Sequence, residues 1–261
     1  MQPTSEQLAH RLSAAARDVL ANYLSLPTFG VAAPYYNNRR HNLAAGLRAL
    51  AGKGLPEEIV EEAELFAIRE KVTLASLASG DKTKFLADHH LGIDCSGFVY
   101  HVLDAESRAR GAGAMHSHIS FHHRSFLRRL IARLRPAQNA GAITFAQPSN
   151  SREIDLSDIQ PGDFIVMTHN TAARSFDHII LITAVDKATT HTTLTYTHSV
   201  AWPSDGMYGH GIRTGTITVT DPLIKLSDQV WEEHSKAGAE NYTHQRAAKA
   251  ETTSLRRLNW F

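Results

Sequence analysis

The apolar pattern of this chain changes period once. Up to about residue 150 apolar residues recur at helical spacing; after about residue 160 they fall in short runs rich in Ile, Val, Thr and Tyr, with loop signals between them. Residues 5–24 set Leu8, Leu12, Ala15, Ala16, Val19, Leu20 and Tyr23 on one side of a helix that stops before Pro27. A Gly-, Pro- and Tyr-bearing loop covers 27–38, and a short helix is expected over 41–51, closed by Gly52 and Gly54. Pro56 opens another helix, with Glu57, Glu58, Glu61 and Glu62 near its positive end. Strands are expected at 164–168, 177–185, 192–198 and 212–220. Helices first and strands afterwards predict an α+β fold with an antiparallel sheet, not alternating α/β.

Bulk properties exclude more than they select. Hydrophobic residues are 43% and charged residues 20% of 261, with a net charge of +1, so no nucleic-acid partner is expected. One cysteine rules out an internal disulfide. No apolar stretch reaches the ~18–20 residues of a membrane span. The first 24 residues scatter Glu6, His10, Arg11 and Arg17, unlike a secretory signal. The expected location is the cytoplasm, or outside the cell by a non-standard route, unless a signal has been removed.

That one cysteine, Cys95, lies in Gly92-Ile93-Asp94-Cys95-Ser96-Gly97-Phe98-Val99-Tyr100, where an irregular segment gives way to an apolar helical run. A thiol at a helix start meets unbonded N–H groups and the positive end of the dipole. These lower a thiol pKa and hold an oxyanion. A lone cysteine is more commonly a small buried hydrophobe. Here the polar neighbours Asp94 and Ser96, with Gly97 permitting close approach, favour catalysis.

His178 and His198 are the partners the pattern offers. If strands 178–185 and 192–198 form a hairpin centred on Ala188, residue 178 stands directly opposite 198, with Cβ atoms ~4.5–5.5 Å apart. Both rings then point to the packed side, where the Cys95 helix is expected. A slip of one residue would part them. The expected chemistry is a thiol activated by His178, with His198 orienting His178.

Two other segments stand out. Four of the 16 histidines, at 116, 118, 122 and 123, are crowded together. With no second cysteine and no acid in the run, they read as an exposed polar insertion, and neither a metal nor another cofactor is expected. Arg124, Arg128, Arg129, Arg133 and Arg135 interleave with Phe126, Leu127, Leu130, Ile131 and Leu134 in an amphipathic basic helix ended by Pro136. It reads as a solvated surface helix, or as a contact for an anionic surface.

Asp94-Cys95-Ser96-Gly97-Phe98 resembles the nucleophile motif of NlpC-like cell-wall peptidases, which are papain-fold cysteine hydrolases. The run 159–166, with Pro161-Gly162-Asp163, resembles that family's turn into the first core strand. Asp177-His178-Ile179-Ile180 is similar to its histidine strand. The blocks come in the family's order over about 95–200. The resemblance implies a papain-like core, Cys95 as nucleophile, His178 as base and His198 as third member. It also implies bacterial peptidoglycan stem peptides as substrate, Asp94 and Ser96 binding its polar ends, and an upstream tyrosine near the oxyanion, Tyr35 or Tyr36. Relatives have a shorter connection before the nucleophile and a small residue where Ile180 stands.

The expected division is 1–38 as N-terminal helix and loop, 39–91 as a helical insertion, and 92–225 as the catalytic core with a His/Arg-rich excursion at about 105–150. Residues 226–261 are then a C-terminal helix or extension. A transferase or toxin-like effector using the same triad on another acyl substrate, and a non-catalytic binder on this scaffold, are the alternatives to a peptidase.

Overall fold

The structure, a computed structural model, describes residues 11–38, 47–122, 125–168, 177–234 and 241–261. Helices α1 (Ala14–Leu24), α2 (Pro56–Glu70), α3 (Ser79–Asp88), α4 (Cys95–Ala109), α5 (Phe126–Leu134), α6 (Pro136–Asn139) and α7 (Ala142–Ala146) come first. The strands are β1 (Ser151–Glu153), β2 (Phe164–Thr168), β3 (His178–Lys187), β4 (Thr192–Val200), β5 (Gly211–Val219), β6 (Val230–Glu232) and β7 (Thr252–Leu258). Helix α8 (Tyr242–Lys249) lies between β6 and β7. The chain is α+β, with a seven-stranded antiparallel sheet in the order β1-β7-β2-β3-β4-β5-β6.

Local chemistry sets the helix ends. The Ser13 hydroxyl accepts the Ala16 N–H at 3.3 Å and starts α1 at Ala14, later than the periodicity predicts. Residues 11 and 12 instead run along β3, where Arg11 bridges Ala184 and the Leu12 N–H donates to Thr183 O. The Glu58 carboxylate accepts the Leu55 N–H at 2.8 Å and closes the start of α2. The short helix expected at 41–51 falls mostly outside the described residues; its end, Ala49–Ala51, is a 3₁₀ turn. Pro136 ends α5 by opening α6.

Each face of the sheet carries a core. On one, Phe164, Val166, Ile179 and Leu181 pack beneath Tyr23, Phe98, Val99, Val102 and Phe145. Ile59, Ala63, Phe85 and Leu86 of α2 and α3 join this same cluster, so the described part of the 39–91 segment shares the core of α4. On the other face Ile165, Ile180, Ile182, Leu194, Tyr196 and Ile217 pack with Leu226, Trp231, Ala247 and Leu255. Burying each large side chain contributes about 1.5–3 kcal/mol.

Residues 226–261 hold more than the helix or extension expected of them. They supply β6, at the sheet edge, and β7, inserted between β1 and β2. The strand signal of β7 is masked by Arg256 and Arg257. Both are held by partners distant in sequence: Arg256 by Ser151 and Glu153, Arg257 by Asp163.

The hairpin between β3 and β4 positions the histidines. Near the turn Lys187 pairs with Thr192 and Ala184 with Thr195; beyond a bulge at Thr183 the pairs are Ile182↔Tyr196 and Leu181↔Thr197. Thr183 is the absorbed residue, and its hydroxyl donates to Thr195 O at 3.2 Å. Pairing ends at Leu181↔Thr197. Continued, that register would set His178 opposite Val200, not opposite His198 as expected. The offset is two residues, so both rings still share a face.

Candidate active site

The start of α4 is clamped from three sides. The Ile93 N–H donates to Pro34 O at 2.9 Å and the Tyr36 N–H to Ile93 O at 3.3 Å, while the Asp94 N–H donates to Gly52 O at 2.9 Å. Two glycines allow this closeness. A Cβ on Gly92 would lie 2.3 Å from Pro34 O, and one on Gly97 would lie 2.9 Å from Gly52 O. The excursion between Tyr36 and Gly92 thus leaves and returns at one point, which sets Tyr35 and Tyr36 beside the segment that carries Cys95. Tyr36 is buried and stacks on His90 at 5.2 Å; Tyr35 Oη accepts from Asn37 Nδ2 at 3.3 Å.

Asp94 caps α4 by accepting the Gly97 N–H at 2.7 Å. Its Oδ1 also accepts from the Ser96 hydroxyl at 3.1 Å and faces Lys53 Nζ at 2.8 Å. The buried Lys53 ammonium donates further to Ser96 Oγ at 2.7 Å and to Ala140 O at 2.9 Å. Three acceptors satisfy its three protons. Asp94 and Ser96, expected to receive polar ends of a substrate, are engaged inside the protein by a cation of the chain itself. Sequence reasoning missed Lys53. Its one visible signal, a lysine between Gly52 and Gly54, is common in turns.

Cys95 is 7% exposed and belongs to the apolar core beneath α4. Burial first, then the charge of Asp94, pushes its thiol up to about 11, while Lys53, the Ile179 N–H and Arg246 pull the other way. The helix start therefore does not depress the thiol pKa as expected, because desolvation outweighs the dipole. Ile179 lies past the end of β3–β4 pairing, and the Ser199 hydroxyl on the facing strand donates to Ile93 O at 2.6 Å. The start of α4 thus enters the gap where the two strands part.

His178 is paired with Met167 of β2 and shares its face, and His198 shares a face with Tyr196. Both belong to the α8 side of the sheet, opposite α4, not to the α4 side as expected.

The two rings form a buried chain. His178 Nε2 is 2.7 Å from His198 Nδ1, and His198 Nε2 is 3.1 Å from the Glu233 carboxylate. Glu233 also accepts from Tyr196 Oη at 2.7 Å. Burial alone would raise the Glu233 pKa, but the charge of His198 and hydrogen bonds from His198, Tyr196 and Thr243 bring it below the usual carboxylate value. An ionised Glu233 can only accept, so His198 presents Nε2–H to it. Glu233 was not foreseen. It sits just past a three-residue edge strand, and only the fold brings it to His198.

The remaining expectations fall outside this centre. His118 Nε2 donates to Ala112 O at 2.6 Å and His116 is exposed; His123 and Arg124 lie outside the described residues. Among the described residues no group of three or more His, Cys, Asp or Glu is gathered for a metal, and no helix is long and apolar enough to cross a membrane. A cleft of about 250 Å³ opens beside the start of α4, with Asn37, Asn38, Lys53, Asp94, Ile131 and Arg135 in its wall. Compared with known proteins, the chain matches no protein-family model, no curated protein and no solved structure.

Proposed function

We propose that the chain is a cysteine hydrolase of papain-like architecture that cleaves amide bonds in peptidoglycan stem peptides. The observation that carries the reading is the Glu233–His198–His178 chain, which ends one residue from Ile179, whose backbone N–H acts to lower the Cys95 thiol pKa. In this reading His178 Nδ1 takes the Cys95 proton as the sulfur attacks the amide carbonyl. The Cys95 N–H, in the first turn of α4, has no acceptor within its helix and supports the oxyanion. His178 then protonates the leaving amine, and water releases the acyl group. His198 and Glu233 orient His178 without touching substrate.

The peptidoglycan substrate rests on the resemblance of 94–98, 159–166 and 177–180 to NlpC-like peptidases. One observation favours the alternative of another acyl substrate. Lys53 fills the carboxylate and hydroxyl that would bind a peptide's free amine. Digestion of purified muropeptides, read by mass, tests both readings. Wild type is expected to release cleaved stems and Cys95→Ala none. Cleavage by Cys95→Ala at the wild-type rate ends the proposal, and inert muropeptides with turnover of a simple thioester select the alternative.

A further inference from the structure

Helix α5 sits inside out. Its buried residue is Ala132, whereas Phe126, Leu127, Leu130, Ile131 and Leu134 are 45–74% exposed. At 3.6 residues per turn these five share an arc of about 140° whose centre is nearly opposite Ala132. The small side meets the protein and the apolar stripe meets water. Arg129 and Arg133 border the stripe on one side, Arg128 and Arg135 on the other, all exposed. Residues 107–152 hold eight arginines and no aspartate or glutamate, although the whole chain is nearly balanced at +1.

We propose that α5 is an interfacial anchor that lays its apolar stripe into an anionic lipid bilayer, with its bordering arginines at the lipid phosphates. Two features select this occupant. Arginines alone would fit any polyanion, but five water-facing apolar side chains need hydrocarbon. A second copy, docked face to face, would set this basic stretch against itself. A bilayer with negative headgroups satisfies both requirements. The helix has nine residues, too few for apolar insertion to hold by itself, so charge governs binding. Ile131 and Arg135 also line the cleft beside Asp94, so a docked α5 brings the start of α4 close to the bilayer.

Flotation of the full chain with phosphatidylcholine vesicles, alone or mixed with phosphatidylglycerol, tests this. Partitioning onto the anionic vesicles is expected to be about tenfold or more above the neutral ones and to fall at high salt. Phe126→Ser/Leu127→Ser and Arg128→Glu/Arg129→Glu, all at exposed positions, are each expected to abolish it. The proposal is overturned if wild type ignores anionic vesicles, if it binds both kinds equally, or if both variants float like wild type. It also falls if wild type is a dimer that Phe126→Ser/Leu127→Ser makes monomeric, since the stripe then belongs to a second copy.

Discussion

His178 Nε2 lies 2.7 Å from His198 Nδ1 although the strands carrying them have already stopped pairing at Leu181 and Thr197. The contact depends on the bulge at Thr183. Near the turn Lys187 faces Thr192, and an unbroken ladder in that register would send the two rings to opposite faces. Absorbing one residue restores the shared face.

In the proposed relay Glu233 acts through His198, so its removal should impair orientation more than binding. His198→Ala is expected to lower kcat by roughly 10²-fold with KM little changed. Glu233→Gln is expected to have a smaller effect and to move the acid limb of the kcat profile. Steady-state kinetics across pH check both, and an unchanged profile in Glu233→Gln would remove it from the relay.

A thiol pushed up to about 11 is protonated at neutral pH, so attack needs a base at the moment of reaction. Acylation should therefore show a normal solvent deuterium isotope effect. Iodoacetamide labelling of resting Cys95 should keep accelerating well above neutral pH. A labelling plateau below pH 7 would mean a preformed thiolate.

Lys53 and Asp94 form a buried pair at 2.8 Å. Lys53→Met leaves an unpaired buried carboxylate and should cost about 3–5 kcal/mol. Lys53→Met/Asp94→Asn should recover much of that loss, leaving about 1 kcal/mol for the weakened cap. Urea unfolding of the double-mutant cycle measures the coupling.

Acid should destabilise the fold through two groups. His101, buried with its Nε2–H on Lys53 O at 2.9 Å, has its pKa lowered chiefly by burial, and Glu233 is also lowered. Each binds protons more readily unfolded than folded, so each contribution is present above the unfolded pKa and is lost as pH falls below it. Thermal unfolding should weaken first as pH drops through 6.5, the ordinary value for His101, and again near 4.5, the ordinary value for Glu233. His101→Gln should flatten the upper step.

Gly97→Ala would set a Cβ 2.8 Å from Ile93 Cδ1 and 2.9 Å from Gly52 O. A loss of about 1–3 kcal/mol is expected by the same unfolding measurement, as for other overpacked sites. Wild-type stability in that variant would mean the start of α4 can shift.

What the sequence determined by itself was local. Period and capping residues place α2, α4 and strands β2 to β5, and the strand pattern picks out His178 and His198, whose rings meet. These signals survive because each depends on neighbours a few residues away. Tertiary structure decided which residues surround them. Lys53 reaches Asp94, Glu233 reaches His198, and β7 enters the sheet beside β2 only after distant segments fold together. Tertiary structure also set the thiol's charge state, since a dipole is local to the first turn while desolvation comes from everything packed around it.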